Sequence, residues 1–384
     1  MQSCMAGCIV LCGVLRLSSA SAGNNTPRVA GRHKRMIKEG FVSKTSVFVA
    51  VASLVLCAPA AMAQQKTLTV AGYGGSWEQS MRKFVFPPFE AKHGVKVEYT
   101  AGNSTDTIAK LQAQKGNQVI DIAIVDDGPM YQAIQLGFCA PIKDLDKSEL
   151  YDAAKFKDDM AVAVGQTGTG FMVNTKYFQE KGWPIPTSWA ELKDPKFKKL
   201  LVIPPINNTY GLYTLMMYAR MNGGGEANIE PGFKVMKEEI NPNVLVYEPS
   251  PGKMTELFQS GQGVIAVWGT GRVQAFANTG FPVDFIYPKE GAPILLASAC
   301  PVAKDNSNPL VHDFIKLMIS ADVQTALAKE MGNGPVNKKV DVNMAELKMA
   351  PVGERAAKVL VPDWVTINKS REDWTKRWNR EVER

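Results

Sequence analysis

Hydrophobic positions first settle into a pattern at Thr67 to Tyr73 (TLTVAGY), where β-branched and small residues alternate as a half-buried strand requires. Gly74-Gly75-Ser76 then reads as a turn and helix N-cap. Trp77 to His93 reads as an amphipathic helix with Met81, Phe84, Val85 and Phe89 on one side. Val95 to Thr100 predicts a second strand. Ser104 or Thr105 caps a helix carrying Ile108 and Leu111, and Val119 to Val125 predicts a third strand ending at Asp126-Asp127. Strands that alternate with helices imply a mostly parallel sheet covered on both faces, so the fold class is α/β.

The pattern continues with shorter elements. Gly168 to Asn174, Lys199 to Ile203, Asn243 to Tyr247, Gly263 to Trp268 and Phe285 to Tyr287 predict strands, and Tyr210 to Met221 and Met254 to Ser260 predict helices. From Pro293 strand and helix texture returns, with helices over Val311 to Ile319 and Val323 to Met331. The tail from Met344 to Arg384 is charged and carries Trp364, Trp374 and Trp378, which predicts terminal helices packed on the outside.

Ahead of this pattern lies a leader. Lys38 and Lys44 form a positive region, Ser46 to Cys57 a short apolar stretch, Pro59 a helix break, and Ala61-Met62-Ala63 an A-x-A cleavage site. Residues 1–63 are therefore expected to be a removable secretory signal, with its start at Met36. The alternative is an unusually extended basic region over 1–35. The apolar stretch is too short for a membrane anchor, since a span needs about 18 or more apolar residues. Lipid attachment at Cys57 is disfavoured by Leu56, which stands where a small residue is required.

The leader changes the charge argument. The chain has 44 Lys+Arg against 37 Asp+Glu, but seven basic residues (Arg16, Arg28, Arg32, Lys34, Arg35, Lys38, Lys44) and a single acid, Glu39, precede Gln64. That leaves 37 against 36, too balanced to favour nucleic acid. Cys4, Cys8, Cys12 and Cys57 leave with the leader. Cys139 and Cys300 remain, either as a disulfide in an oxidising compartment or as two small buried apolar residues.

Catalytic chemistry finds little support. Only His93 and His312 follow the leader, no Cys/His cluster has metal-ligand spacing, and G-x-S-x-G is missing. Gly165 to Gly170 (GQTGTG) precedes a strand where a dinucleotide loop would open a helix. No catalytic residue, metal or cofactor is expected.

Four loops at strand ends do suit a ligand, because open α/β sheets bind beyond the carboxyl ends of their strands. These are Tyr73-Gly74-Gly75-Ser76-Trp77, the Asp126-Asp127 loop, Asn207-Asn208-Thr209-Tyr210, and Trp268-Gly269-Thr270-Gly271-Arg272. Each has a plainer use. Asp126 and Asp127 read equally as helix caps, as do Asn207 and Asn208. Trp77 and Trp268 read equally as core, and Arg272 as half of a surface ion pair. The planar guanidinium of Arg272 beside an aromatic is otherwise suited to a carboxylate.

In order along the chain, "YGGSW", "FEAKHGVKVEY", "DIAIVDDGPMYQAIQLGFCAPI", "TGTGFMVNTKYF", "PTSWAELKDPKFKKLLVIPP", "LFQSGQGVIAVWGTGR", "FIYPKEGA", "NPLVHDFIKLMIS" and "GNGPVN" resemble the extracellular solute-binding proteins of ABC importers, in the spermidine/putrescine branch. The resemblance runs from about Lys66 to Val342. It implies the two-lobed periplasmic binding protein fold (type II), with a ligand cleft between lobes at about 64–166 plus 290–384 and at 167–289. It implies a periplasmic monomer that closes on a small-molecule solute and delivers it to a membrane permease with a cytoplasmic ATPase, without catalysis.

Carried over by position, the family's first-loop aromatic corresponds to Trp77 or Tyr73, its polar residue after the third strand to Asp126 or Asp127, and its cleft indole to Trp268. Two departures concern the ligand. Polyamine binders place an acid after "KFKKLLVIPP", where this chain has Ile206-Asn207-Asn208-Thr209, and another beyond "YPKEGA", where it has Pro293-Ile294-Leu295-Leu296. With Arg272 added, a polycation would be under-neutralised. A zwitterion or a small organic acid or amine is expected instead, held by Asp126 or Asp127, by Arg272, and by Trp77, Trp268 and Tyr210. The alternatives are an exported enzyme or a sensor subunit on the same fold.

Overall fold

The computed structural model describes residues 67–383, so the expected leader through Ala63 and its start at Met36 lie outside the described residues. The chain opens with β1 (Thr67–Gly72), α1 (Ser76–Ser80) and, after a π turn, α2 (Phe86–His93). β2 (Lys96–Ala101), α3 (Ser104–Ala113), β3 (Ile122–Asp126) and α4 (Asp127–Gln135) follow. β1 pairs parallel with both β2 and β3, as the alternating pattern predicts. The cap of α3 differs from expectation. Asn103, ahead of Ser104 and Thr105, accepts from the Asp106 N–H while Asp106 reaches back, a capping box.

β4 (Val162–Asn174) is more than a local strand. Its first half pairs antiparallel with β9 (Ala292–Pro301), and β9 in turn lies against β3. Its second half pairs with β7 (Ile265–Gly269) and β8 (Val283–Ile286). The chain thus leaves one lobe along β4 and returns along β9. Between them it makes α5 (Thr175–Lys181), β5 (Leu201–Ile203), α6 (Thr209–Met221), α7 (Glu230–Val235), β6 (Val244–Tyr247), α8 (Pro251–Gln259) and, after β7, α9 (Thr270–Ala277). β5 is parallel to β6 and β7, so the second lobe repeats the α/β logic of the first. The fold is the two-lobed one. α10 (Leu310–Met318), α11 (Ala321–Met331), β10 (Val359–Leu360) and α12 (Trp364–Glu381) complete it.

Two main cores follow from this path. One gathers β1, β3, the first half of β4, α10 and α11 around Leu68, Ile122, Val164 and Phe314. The other surrounds α6, with Trp189, Tyr213, Met216 and Phe233. α12 lies in the sequence range expected for the first lobe, and it bridges the two: Trp364, Ile367, Trp374 and Trp378 pack into the second core, while Trp364 and Asn368 bond to Asp127 and Gly128 of α4. The helix does pack on the outside, burying this stripe and exposing Val365, Lys369, Glu372 and Lys376. Cys139 and Cys300 form a disulfide with Cα atoms 5.7 Å apart. No described helix is long and apolar enough to cross a membrane.

Candidate functional site

A cavity of about 590 Å³ opens between the lobes where β1, β3 and β7 end and where α6 and α9 begin. Its size suits a small organic molecule. Tyr73, Trp77, Asp126, Asn207, Asn208, Tyr210, Trp268 and Arg272 all line it. Backbone geometry explains the first loop. Gly75 has φ +67° and caps α1, a conformation that side chains with a β-carbon rarely adopt, and it turns the chain so that Trp77 faces inward. The Trp77 ring stands edge-on to Tyr73 at 5.3 Å, and its Nε1 has no hydrogen-bond partner among the described residues.

Asp126 closes β3 and is the buried acid of the cleft, 6% exposed. The Tyr73 hydroxyl donates to its Oδ1 at 2.7 Å, the Thr209 hydroxyl donates to Oδ2, and its own N–H donates to Ser104 Oγ at 3.0 Å. Burial raises its pKa, with the Thr209 and Tyr73 hydrogen bonds and the Arg371 charge working against that rise. Burial and the neighbouring Asp126 push the Tyr73 phenol well up, so it remains a donor.

Asp127 is placed differently from expectation. It does not line the cleft. Its Oδ2 accepts from Trp364 Nε1 at 2.8 Å, and it faces a second cavity of about 690 Å³ behind the crossing strands. Burial raises its pKa to about 7, opposed by the Trp364 bond and reinforced by Asp126. The same division appears along β9, where Leu295 and Ala297 line the cleft and Ile294 and Leu296 the rear cavity.

On the opposite wall, Asn208 does cap α6, its Oδ1 accepting from the Tyr210 N–H at 3.0 Å, and it also lines the cleft. The Asn207 carbonyl accepts from the Thr105 hydroxyl at 3.2 Å, a bond between lobes. Tyr210 packs against Trp268 with ring centroids 5.1 Å apart. Gly269 permits this, because a β-carbon there would lie 2.2 Å from the Tyr210 hydroxyl. Arg272, in the first turn of α9, reaches across to the first lobe. Its Nη1 donates to Gly74 O at 2.9 Å and Ser76 Oγ at 3.1 Å, which brings Ser76 to the site. Burial lowers the guanidinium pKa, countered by Tyr210, Tyr99, Tyr73 and Asp126.

Several lining residues went unnoticed in the sequence. Glu78 and Asp106 border the cleft, but Glu78 pairs with Arg82 at 2.8 Å and Asp106 serves the α3 capping box. Thr167, where β4 enters the second lobe, joins Thr270 hydroxyl to hydroxyl at 2.7 Å. Asn333 lies in the "GNGPVN" string that carries the resemblance. Gly165 and Gly271 make room for it: β-carbons there would lie 2.9 and 2.4 Å from its side chain.

A two-lobed fold with a polar, aromatic-walled cleft at the crossing defines a solute-binding protein. The model of the bacterial extracellular solute-binding protein family matches residues 85–352, and the chain belongs to that family. The spermidine/putrescine-binding periplasmic protein of Escherichia coli is 22% identical over 308 residues, 77% of this chain and 84% of that protein. An uncharacterized protein of Haemophilus influenzae is 28% identical over 220 residues, 55% of this chain and 58% of that protein. Among solved structures, an ABC transporter from Clostridium perfringens superposes with a TM-score of 0.64 at 25% identity, covering 82% of this chain and 99% of that one. The fold and family are those of substrate-binding components of ABC transporters.

Proposed function

We propose that the chain is a periplasmic receptor for a small organic solute carrying an amine, a carboxylate or both, which it presents to an ABC permease driven by a cytoplasmic ATPase. One observation supports this best. The cleft sets one buried acid, Asp126, held by the Tyr73 and Thr209 hydroxyls, on one lobe and a guanidinium, Arg272, on the other, between aromatic rings. An ammonium group is matched to the first and a carboxylate to the second. A polyamine is matched less well, because Glu78 already has Arg82 and Asp106 is exposed in its capping box.

A thermal-shift screen against polyamines, amino acids, γ-amino acids and organic acids tests the reading. A solute at about 100 times its Kd adds roughly 2.7 kcal/mol of stability. Arg272→Gln should weaken a carboxylate solute by about 1.5–3 kcal/mol, ten- to a hundredfold, in calorimetric titration. Unchanged affinity would remove Arg272 from the site, and turnover of a bound solute would favour an exported enzyme.

A further inference from the structure

Asn333, which follows α11, lines the cleft and is only 8% exposed, and its side-chain amide makes no hydrogen bond among the described residues. Leaving a buried amide unpaired is costly, since it is both donor and acceptor. Two glycines hold its place. A β-carbon on Gly271 would lie 2.4 Å from Asn333 Oδ1, and one on Gly165 would lie 2.9 Å from Nδ2 and 3.9 Å from Trp77 Cζ3. The amide therefore reaches from the first turn of α9 to the part of β4 beside the Trp77 ring. Electrostatics decides which end is which. α9 spans eight residues after Gly269 and has no side-chain cap, and the Thr167 hydroxyl accepts from the Gly271 N–H at 3.2 Å. The partial positive charge of that turn favours an oxygen on its side. With Oδ1 there, Nδ2 is the end turned to the Trp77 wall, a donor without an acceptor.

We propose that Asn333 is a specificity-determining residue of the cleft, its Nδ2 donating to an oxygen of the solute's carboxylate and thereby rejecting an ammonium group at that end. The inference rests on the cleft taking a carboxylate-bearing solute. Arg272 serves the same wall: its Nη1 bonds to Gly74 O and Ser76 Oγ, in the loop that leads into Trp77, and those bonds leave Nε and Nη2 unused. No cleft-lining acid is free to turn this wall towards cations. Glu78 is paired with Arg82, Asp106 serves the α3 capping box, and Asp126 is held by the Tyr73 and Thr209 hydroxyls. A site built around a buried hydrogen-bonding group discriminates strongly against a ligand that leaves the group unpaired. An ammonium offers Nδ2 no acceptor and would set one donor against another.

The test is an NMR titration of the protein with sodium acetate, a bare carboxylate, and with methylammonium chloride at matched ionic strength. The Asn333 side-chain amide, assigned by its loss in Asn333→Asp, and Arg272 Nε are followed together. Acetate should move the Asn333 amide along a saturation curve, and methylammonium should not. Asn333→Asp keeps the shape of the side chain but exchanges the donor for a charge that suits the start of α9. It should weaken acetate, followed at Arg272 Nε, by about tenfold or more. Unchanged acetate affinity in Asn333→Asp overturns the proposal, and so does an equal response of the amide to both probes. Should that variant not fold, the comparison of the two probes on the native chain decides alone. The two ideas fail separately. An Asn333 amide that stays still while Arg272 Nε moves removes Asn333 and leaves the carboxylate reading intact. A moved amide beside an unmoved Nε supports Asn333 and removes Arg272 as the partner of the acid. If acetate moves neither, the cleft takes no carboxylate and both ideas fall.

Discussion

Asp127 stands next to the cleft carboxylate in sequence and turns its own away from the cleft. Successive residues in a helical turn point about 100° apart, so the first residue of α4 cannot share the direction of its cap. The string Asp126-Asp127 shows that an acid ends the third strand, but not which of the two faces the ligand. That depends on where the helix begins. The tryptophans and the arginine in the cleft were legible because they flank glycines at strand ends. Asn333 was not, since only the tertiary approach of Gly165 and Gly271 gives it its place. Asp127, buried at the rear, titrates on its own account. Its carboxyl has a midpoint of about 7 when folded and about 4 when unfolded, so the folded chain binds the extra proton between those values. The stability this gives is fully present below about pH 4 and is lost as pH rises towards 7. Asp127→Asn should flatten that decline in urea unfolding between pH 4 and 7. An unchanged slope would assign the decline to other groups.

Among the elements, α12 and β9 carry the weakest signals of their place in the fold. The sequence of β9 (APILLASACP) is apolar on both faces because both are covered, and such a run lacks the alternation that marks a half-exposed strand. The stripe of α12 was visible in outline, for Trp364, Ile367, Arg371, Trp374 and Trp378 follow at steps of three and four. An arginine inside an otherwise apolar stripe was the available sign of a buried charge. Nothing in the spacing said which lobe the stripe would meet. The seat of the helix on α4 is close: a β-carbon on Gly128 would lie 2.1 Å from Trp364 Cζ3. Gly128→Ala should therefore cost about 1–3 kcal/mol or more in urea unfolding. Adding Trp364→Leu should recover part of the loss, and strict additivity of the two changes would show that the ring and the glycine do not meet.

For the molecule as a whole, the alternating first half indicated α/β organisation, and two lobes around a cleft came only from the family resemblance of the ordered strings. The strands that join them became clear only with the pairing of β4 and β9. The disulfide adds a long-range tie in the first lobe, closing a separation of 161 residues between Cys139 and Cys300 that contains the whole excursion through the second. Replacing both cysteines by alanine should cost about 2–5 kcal/mol in denaturant unfolding, mainly by freeing the unfolded chain. A double variant as stable as the native protein would show that the tie adds nothing. β9 also divides two chambers with a single thickness of backbone, its odd-numbered Leu295 and Ala297 facing the cleft and its even-numbered Ile294 and Leu296 the rear. Its tolerance of change is consequently lopsided: side chains can be exchanged one at a time, whereas gaining or losing one residue in mid-strand would turn the partition inside out beyond that point. The wall can therefore be repainted residue by residue, while a change of length needs a compensating bulge to keep its two faces apart.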